Sequence, residues 1–167
     1  MFLMTHAAAG MFLGALVPHP VAAFTAGVAS HAILDMIPHE PEDDLILDYP
    51  GSPGSSNKSV RRRVIVSSFD LAFAVLLVFL SWFFSLKGQN QSGLFIGMIS
   101  GIAGGLLPDC IIVLTFFMNN RFLRWYFDLH NKIHFVISRS SVPRTVSVAY
   151  QFGLVGLFVF STYYFIT

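Results

Sequence analysis

Between Val64 and Leu86 the chain runs the length of a bilayer crossing with a single charged residue, Asp70. A helix needs about 20 apolar residues to span the hydrocarbon core. Only helices and closed barrels satisfy every backbone group there. This run commits the chain to a helical membrane architecture, and the other apolar stretches agree. Met1 to Val17 and Val21 to Ile37 are shorter. They are separated by Pro18-His19-Pro20 and closed by Pro38, and read as a helical hairpin that stops short of a full crossing. Gly93 to Leu107 is helical and carries Gly97, Gly101, Gly104 and Gly105, small residues that permit close helix approach in lipid. Pro108 is expected to interrupt it, with Ile111 to Met118 continuing the apolar character. Val146 to Ile166 is the last span.

Charge is scarce, at 11% of residues against 54% hydrophobic, whereas a soluble domain carries roughly 25% charged residues. Too few charges remain to cover a water-facing surface. Ten Lys and Arg against nine Asp and Glu leave no basic field for a nucleic-acid backbone. The lone Cys110 makes no internal disulfide and reads as a small buried hydrophobe. No basic segment precedes the first apolar stretch, so it reads as a permanent helix rather than a cleaved signal.

The expected fold is all-α. It is a polytopic transmembrane bundle formed as one domain over residues 1–167, with a short N-terminal hairpin, about three further spans and an amphipathic interfacial helix. A polar loop occupies about residues 39–60 and is closed by Arg61, Arg62 and Arg63. A basic amphipathic segment occupies about residues 119–144, with Trp125, Tyr126 and Phe127 suited to a membrane interface. Counting crossings puts both basic segments on one side, which the positive-inside rule makes cytoplasmic. A bacterial or archaeal cytoplasmic membrane is the expected location, with membrane lipids as neighbours; the oligomeric state stays open.

Against this background a few ionisable groups stand out, because a charge mid-membrane costs roughly 2.5–3.5 kcal/mol and marks function by default. His31 and Asp35 are four residues apart and share one helix face. They offer nitrogen and oxygen ligands for zinc or another divalent ion, or else a hydrogen bond that satisfies two buried groups. His39 follows one turn beyond Asp35, past Pro38. His6 lies on the first helix, Asp109 follows Pro108, and His130 and His134 are spaced to share a helix face. Asp70 lies inside its span, about 9 Å above the start at 1.5 Å per residue. It reads as a second-metal ligand, as the orienter of a ligand histidine, or as a carboxyl bonded to Ser67 or Ser68. His19, between two prolines, reads as a turn residue. The crossing count brings His6, His31, Asp35, His39, Asp109, His130 and His134 to one membrane boundary. Two segments also share a pattern. Gly27-Val-Ala-Ser-His-Ala-Ile-Leu-Asp35 and Gly101-Ile-Ala-Gly-Gly-Leu-Leu-Pro-Asp109 each place Ala two residues and Asp eight residues after Gly, as a degenerate internal repeat would.

Thr5-His6, the His31 and Asp35 pair, Leu107-Pro108-Asp109 and the later histidine pair resemble the membrane-bound metal-dependent hydrolase family, which is distantly similar to zinc-dependent phospholipase C. The resemblance covers about residues 5 to 135. It departs from the family's Pro-Asp-x-Asp-His, since Asp109 is followed by Cys110-Ile-Ile. It also departs from His-Arg-Gly-x-Thr-His, which here is His130-Asn-Lys-Ile-His134. It implies metal ligands at His6, His31, Asp35 and Asp109, with a weaker match at His130. The expected function is hydrolysis of a small-molecule or lipid-linked phosphoester at the cytoplasmic face, using one or two divalent ions, zinc foremost. His6, His31, Asp35, His39 and Asp109 would be ligands, and Asp70, His130 and His134 catalytic groups. The rivals are a metal or proton transporter and a non-catalytic metal-binding protein.

Overall fold

The computed structural model describes residues 2–17, 19–38, 57–87, 91–115, 118, 120–135 and 142–167; at 57–67, 91, 134, 135 and 144 it describes the backbone alone. Among the described residues there are six helices and no strand: α1 (Leu3–Leu16), α2 (Pro20–Asp35), α3 (Asn57–Ser85), α4 (Gln91–Leu114), α5 (Arg121–Phe135) and α6 (Arg144–Ile166). Three carry segments long and apolar enough to cross a membrane: Ser68–Ser85, Ser92–Leu114 and Thr145–Ile166. Helices α1 and α2 have 14 and 16 residues. At 1.5 Å per residue they are about 21 and 24 Å long, shorter than the roughly 30 Å hydrocarbon core.

Helix α4 is the hub, because α1 and α2 both lie directly on its backbone. A Cβ at Gly10 would collide with the Gly101 carbonyl, one at Gly14 with the Gly97 carbonyl, and one at Gly27 again with Gly101. The same close approach brings Gly104 against the Phe24 backbone and Gly105 against that of His6. Every side chain heavier than hydrogen at these crossings would push the helices apart, which is how glycines secure helix packing where water supplies no driving force. The pairings Gly10–Gly101 and Gly14–Gly97 make α1 and α4 antiparallel. Helix α6 runs alongside α1, with Gln151 at Phe2 and Phe158 at Phe12. Met11, Leu77 and Met98 fill the core between these elements.

Two expectations are corrected. Helix α4 passes straight through Pro108 instead of breaking there. Pro108 has no N–H to return to the Gly104 carbonyl, but neighbouring helices can absorb such a defect inside a membrane bundle. Cys110 is exposed, not buried. Asp109 turns toward α2, and one residue further along a helix is 100° round, which carries Cys110 to the outside of the bundle. Most of the expected polar loop lies outside the described residues. Its last part is already helical, since α3 takes in Asn57 and the three arginines.

The amino end of α1 is clasped from two sides. The Phe2 N–H donates to Gln151 Oε1 at 2.7 Å, and Gln151 Nε2 donates to Ser147 Oγ at 3.1 Å. From α3, the Asp70 carboxyl comes against the backbone N–H groups of Leu3 and Met4. These are first-turn amides with no partner inside their own helix, and a carboxylate there also faces the positive end of the helix dipole. Helix α1 has no capping side chain of its own, so the cap is supplied in space by Asp70.

Candidate metal centre

His6 follows one turn after that clasp, and its ring is fully buried. Helix α2 brings His31 and Asp35, one turn apart, to the same place. Asp109 arrives from α4 and His130 from the inward face of α5. His6 Nε2 lies 3.1 Å from Asp35 Oδ1, and His31 Nε2 lies 2.9 Å from Asp35 Oδ2. Asp109 Oδ1 is 3.7 Å from His31 Nε2 and 3.8 Å from His130 Nε2, and His130 Nε2 is 4.0 Å from Asp35 Oδ2. The imidazoles of His6 and His31 stack with centroids 3.9 Å apart, and His130 is 5.5 Å from His31. Three Nε2 atoms and two carboxylates thus point at one small volume.

The hydrogen bonding explains what these groups lack. His31 Nδ1 lies 2.8 Å from the Gly105 carbonyl oxygen. A carbonyl only accepts, so Nδ1 carries a proton, and whenever the ring is neutral its lone pair is on Nε2. That lone pair faces an acceptor, the Asp35 carboxylate. Despite the short distances, neither His31 Nε2 nor either nitrogen of His6 has a hydrogen-bond partner, although all are buried. Buried polar atoms without partners are rare and each costs about 1–3 kcal/mol. A cation between the Nε2 atoms and the carboxylates would satisfy His6 Nε2 and His31 Nε2.

Two triads have donor atoms within 4.8 Å of one another: His6, His31 and Asp109, and His31, Asp35 and His130. In a tetrahedral zinc site with 2.0–2.1 Å bonds, donors are about 3.3 Å apart. The measured separations of 2.9 to 4.0 Å lie on either side of this value. His31 belongs to both triads, and its other nitrogen is committed to Gly105, so the two triads are halves of one site. Holding a histidine ligand through its second nitrogen on a backbone carbonyl is also how metal centres fix tautomer and ring orientation. The Asp109 side chain is 23% exposed, against 10% or less for the histidines and Asp35. The centre therefore opens to its surroundings at the Asp109 side.

Of the other residues singled out in the sequence, Asp70 stands in neither triad. It is two residues into the Ser68–Ser85 segment and engages α1 instead of the donors directly. His19 caps α2 at the opposite end of the hairpin, accepting from the Ala22 N–H at 3.4 Å. His39 lies outside the described residues, as does the side chain of His134. One residue near the centre was read in the sequence only as an interfacial aromatic. The Tyr126 ring stacks on His130 at 6.2 Å. Burial, reinforced by the Asp109 and Asp35 carboxylates, pushes its phenol up to about 12. The signal was its spacing, four residues before His130 on the same face of α5. The carbonyl of Gly105 carried no side-chain signal at all.

No family model, curated protein or solved structure matches the chain.

Proposed function

We propose that this is a membrane-embedded, divalent-metal-dependent hydrolase acting on a phosphoester or lipid-linked substrate at the cytoplasmic face, with zinc as the metal. The observation that carries the reading is the His31 ring: Nδ1 committed to a carbonyl, and a buried Nε2 held 2.9 Å from a carboxylate. His6, His31, Asp35 and Asp109 would hold one ion, with His130 as fifth ligand or proton carrier. When bound, such an ion supplies Lewis acidity and lowers the pKa of a bound water to about 7. His130, partnered by Asp109, can take up a proton at Nε2 and return it to a leaving oxygen. Tyr126 keeps its hydroxyl proton and can donate to a phosphoryl oxygen. The location in a bacterial or archaeal cytoplasmic membrane and the kinship to the membrane-bound metal-dependent hydrolases belong to the same proposal.

Two features favour this over the rivals. A transporter needs a polar path past the site, but the glycine crossings at Gly10, Gly14, Gly97 and Gly101 close α1 onto α4. A purely structural metal would be enclosed, whereas Asp109 leaves one side open. The test is metal content of the detergent-purified protein, with phosphoester hydrolysis alongside. His31→Ala and Asp109→Ala should lower bound metal sharply and His19→Ala should not. Equal metal in all three refutes the site. Full metal with no hydrolysis of any phosphoester refutes the enzyme.

A further inference from the structure

Helix α5 has three faces. Leu123, Phe127 and His130 point inward and are buried. About 130° round at 100° per residue, Phe122, Trp125 and Leu129 form an outward apolar stripe, with Phe122 63% and Trp125 57% exposed. Their rings meet at 5.8 Å, so the stripe is a continuous aromatic surface. The third face carries Arg121, Arg124, Asp128 and Lys132, all exposed. Among the described elements α5 packs only on α4 and α2. No described element packs on its other two faces.

A helix with one protein-facing side, one apolar side and one net-cationic side fits the boundary between acyl chains and headgroups. Trp rings favour that depth, and the three cations against one carboxylate complement anionic headgroups. Helix α5 is also continuous in chain with crossing segments on both sides, Ser92–Leu114 and Thr145–Ile166, so it lies at the bundle's membrane boundary. We propose that α5 docks into an anionic leaflet and that this docking seats His130 against Asp35 and Asp109, making the affinity of the metal centre depend on lipid charge. The inference rests on the metal reading above. The coupling is mechanical: His130 and the lipid-facing stripe are on one rigid helix, and His130 Nε2 is 3.8 and 4.0 Å from its partner oxygens, the loosest approach in the centre. A small shift of α5 decides whether His130 takes part.

The test uses the full chain with Trp82→Phe, which leaves Trp125 as the sole tryptophan, in nanodiscs of phosphatidylcholine with or without phosphatidylglycerol. Co²⁺ is the probe metal, followed by its visible absorption. Phosphatidylglycerol should increase quenching of Trp125 by lipids brominated high in the acyl chain. It should also tighten Co²⁺ binding about fivefold or more, the range of ordinary coupling between sites. Replacing Arg121, Arg124 and Lys132 together by Gln should abolish both effects of phosphatidylglycerol and leave Co²⁺ affinity in phosphatidylcholine unchanged. Equal Co²⁺ affinity in the two bilayers overturns the coupling. Protection of Trp125 from both brominated lipid and acrylamide overturns the docking, because a protein surface would then cover the stripe. Absence of Co²⁺ binding in either bilayer overturns the metal reading together with the coupling, while the quenching still decides the docking.

Discussion

Replacing Gly105 by Ala adds one methyl group and leaves every donor of the metal centre in place, which makes it a sharp test of how the centre is held. The new Cβ would lie 2.5 Å from the His6 carbonyl oxygen and 3.1 Å from its carbon. Ordinary contact begins at 3.4 Å, so the first turns of α1 must retreat by about 0.9 Å. His6 rides on that turn, and its Nε2 moves with it. Metal–nitrogen bonds tolerate about 0.2 Å around 2.0–2.1 Å, so the displaced imidazole drops out of the ligand set. The carbonyl of residue 105 remains, and with it the hydrogen bond that orients His31. The expected loss is one ligand, at least about 100-fold in affinity, beyond the 10–100-fold of an outer-shell change. Stability of the metal-free protein should change far less: the overpacking costs about 1–3 kcal/mol, offset by up to about 1 kcal/mol gained when Ala replaces Gly in a helix. Competition against a chromophoric chelator measures the affinity, and thermal unfolding of the metal-free protein measures the stability. Gly153→Ala and Gly156→Ala, with nothing within 4 Å of the new Cβ, are the controls and should bind metal normally. An affinity for Gly105→Ala within twofold of the parent would refute the claim that the α1–α4 contact sets the position of His6.

Asp70→Leu should destabilise the protein by about 1–2 kcal/mol, because two first-turn amides of α1 lose their acceptor, while Asp70→Asn, which keeps an oxygen, should lose less; full metal occupancy in Asp70→Leu, read with thermal stability, would remove this residue from any direct part in the site. Tyr126 should remain neutral through the range near pH 10 where a free phenol ionises, since its proton is held up to about 12; hydrolysis should therefore show no Tyr126-dependent alkaline fall below that range, and a fall near pH 10 that vanishes in Tyr126→Phe would contradict the burial of its hydroxyl. A thiol reagent should label Cys110 readily in detergent, given its outward position, and protection there would mean that a second surface covers this face of α4. A cysteine at Ser55, with Cys110 removed, should be shielded from an impermeant reagent in intact cells; ready labelling would invert the orientation.

The residues that converge were visible in the sequence for a simple reason. In a chain this apolar, each of His6, His31, Asp35 and Asp109 carries a solvation cost that a random residue would not, so chemistry alone picks them out. Helix periodicity then pairs His31 with Asp35, and the crossing count brings the groups to one boundary. What periodicity cannot supply is contact between helices. Asp70 shares the unusual chemistry of the others, yet the neighbour that uses its carboxylate is the start of α1, some 66 residues away in the chain. The Pro108 rule is local and lost to tertiary context, because α4 is gripped on two sides where an isolated helix would bend. The Gly105 carbonyl was invisible because its role belongs to the backbone.

Gly27 lies against Gly101, and Asp35 and Asp109 both lie beside His31, so the two repeated segments meet side by side. At the fourth residue after each glycine the equivalence ends: one segment has His31, the other Gly105, and the imidazole donates to the glycine's carbonyl. A second imidazole at residue 105 would have to grow through the backbone of His6. Two identical halves could therefore never assemble this centre, since each would bring the side chain that the other must lack. Asymmetry between the halves is a condition of the site, and it limits the pair to one histidine oriented in this way.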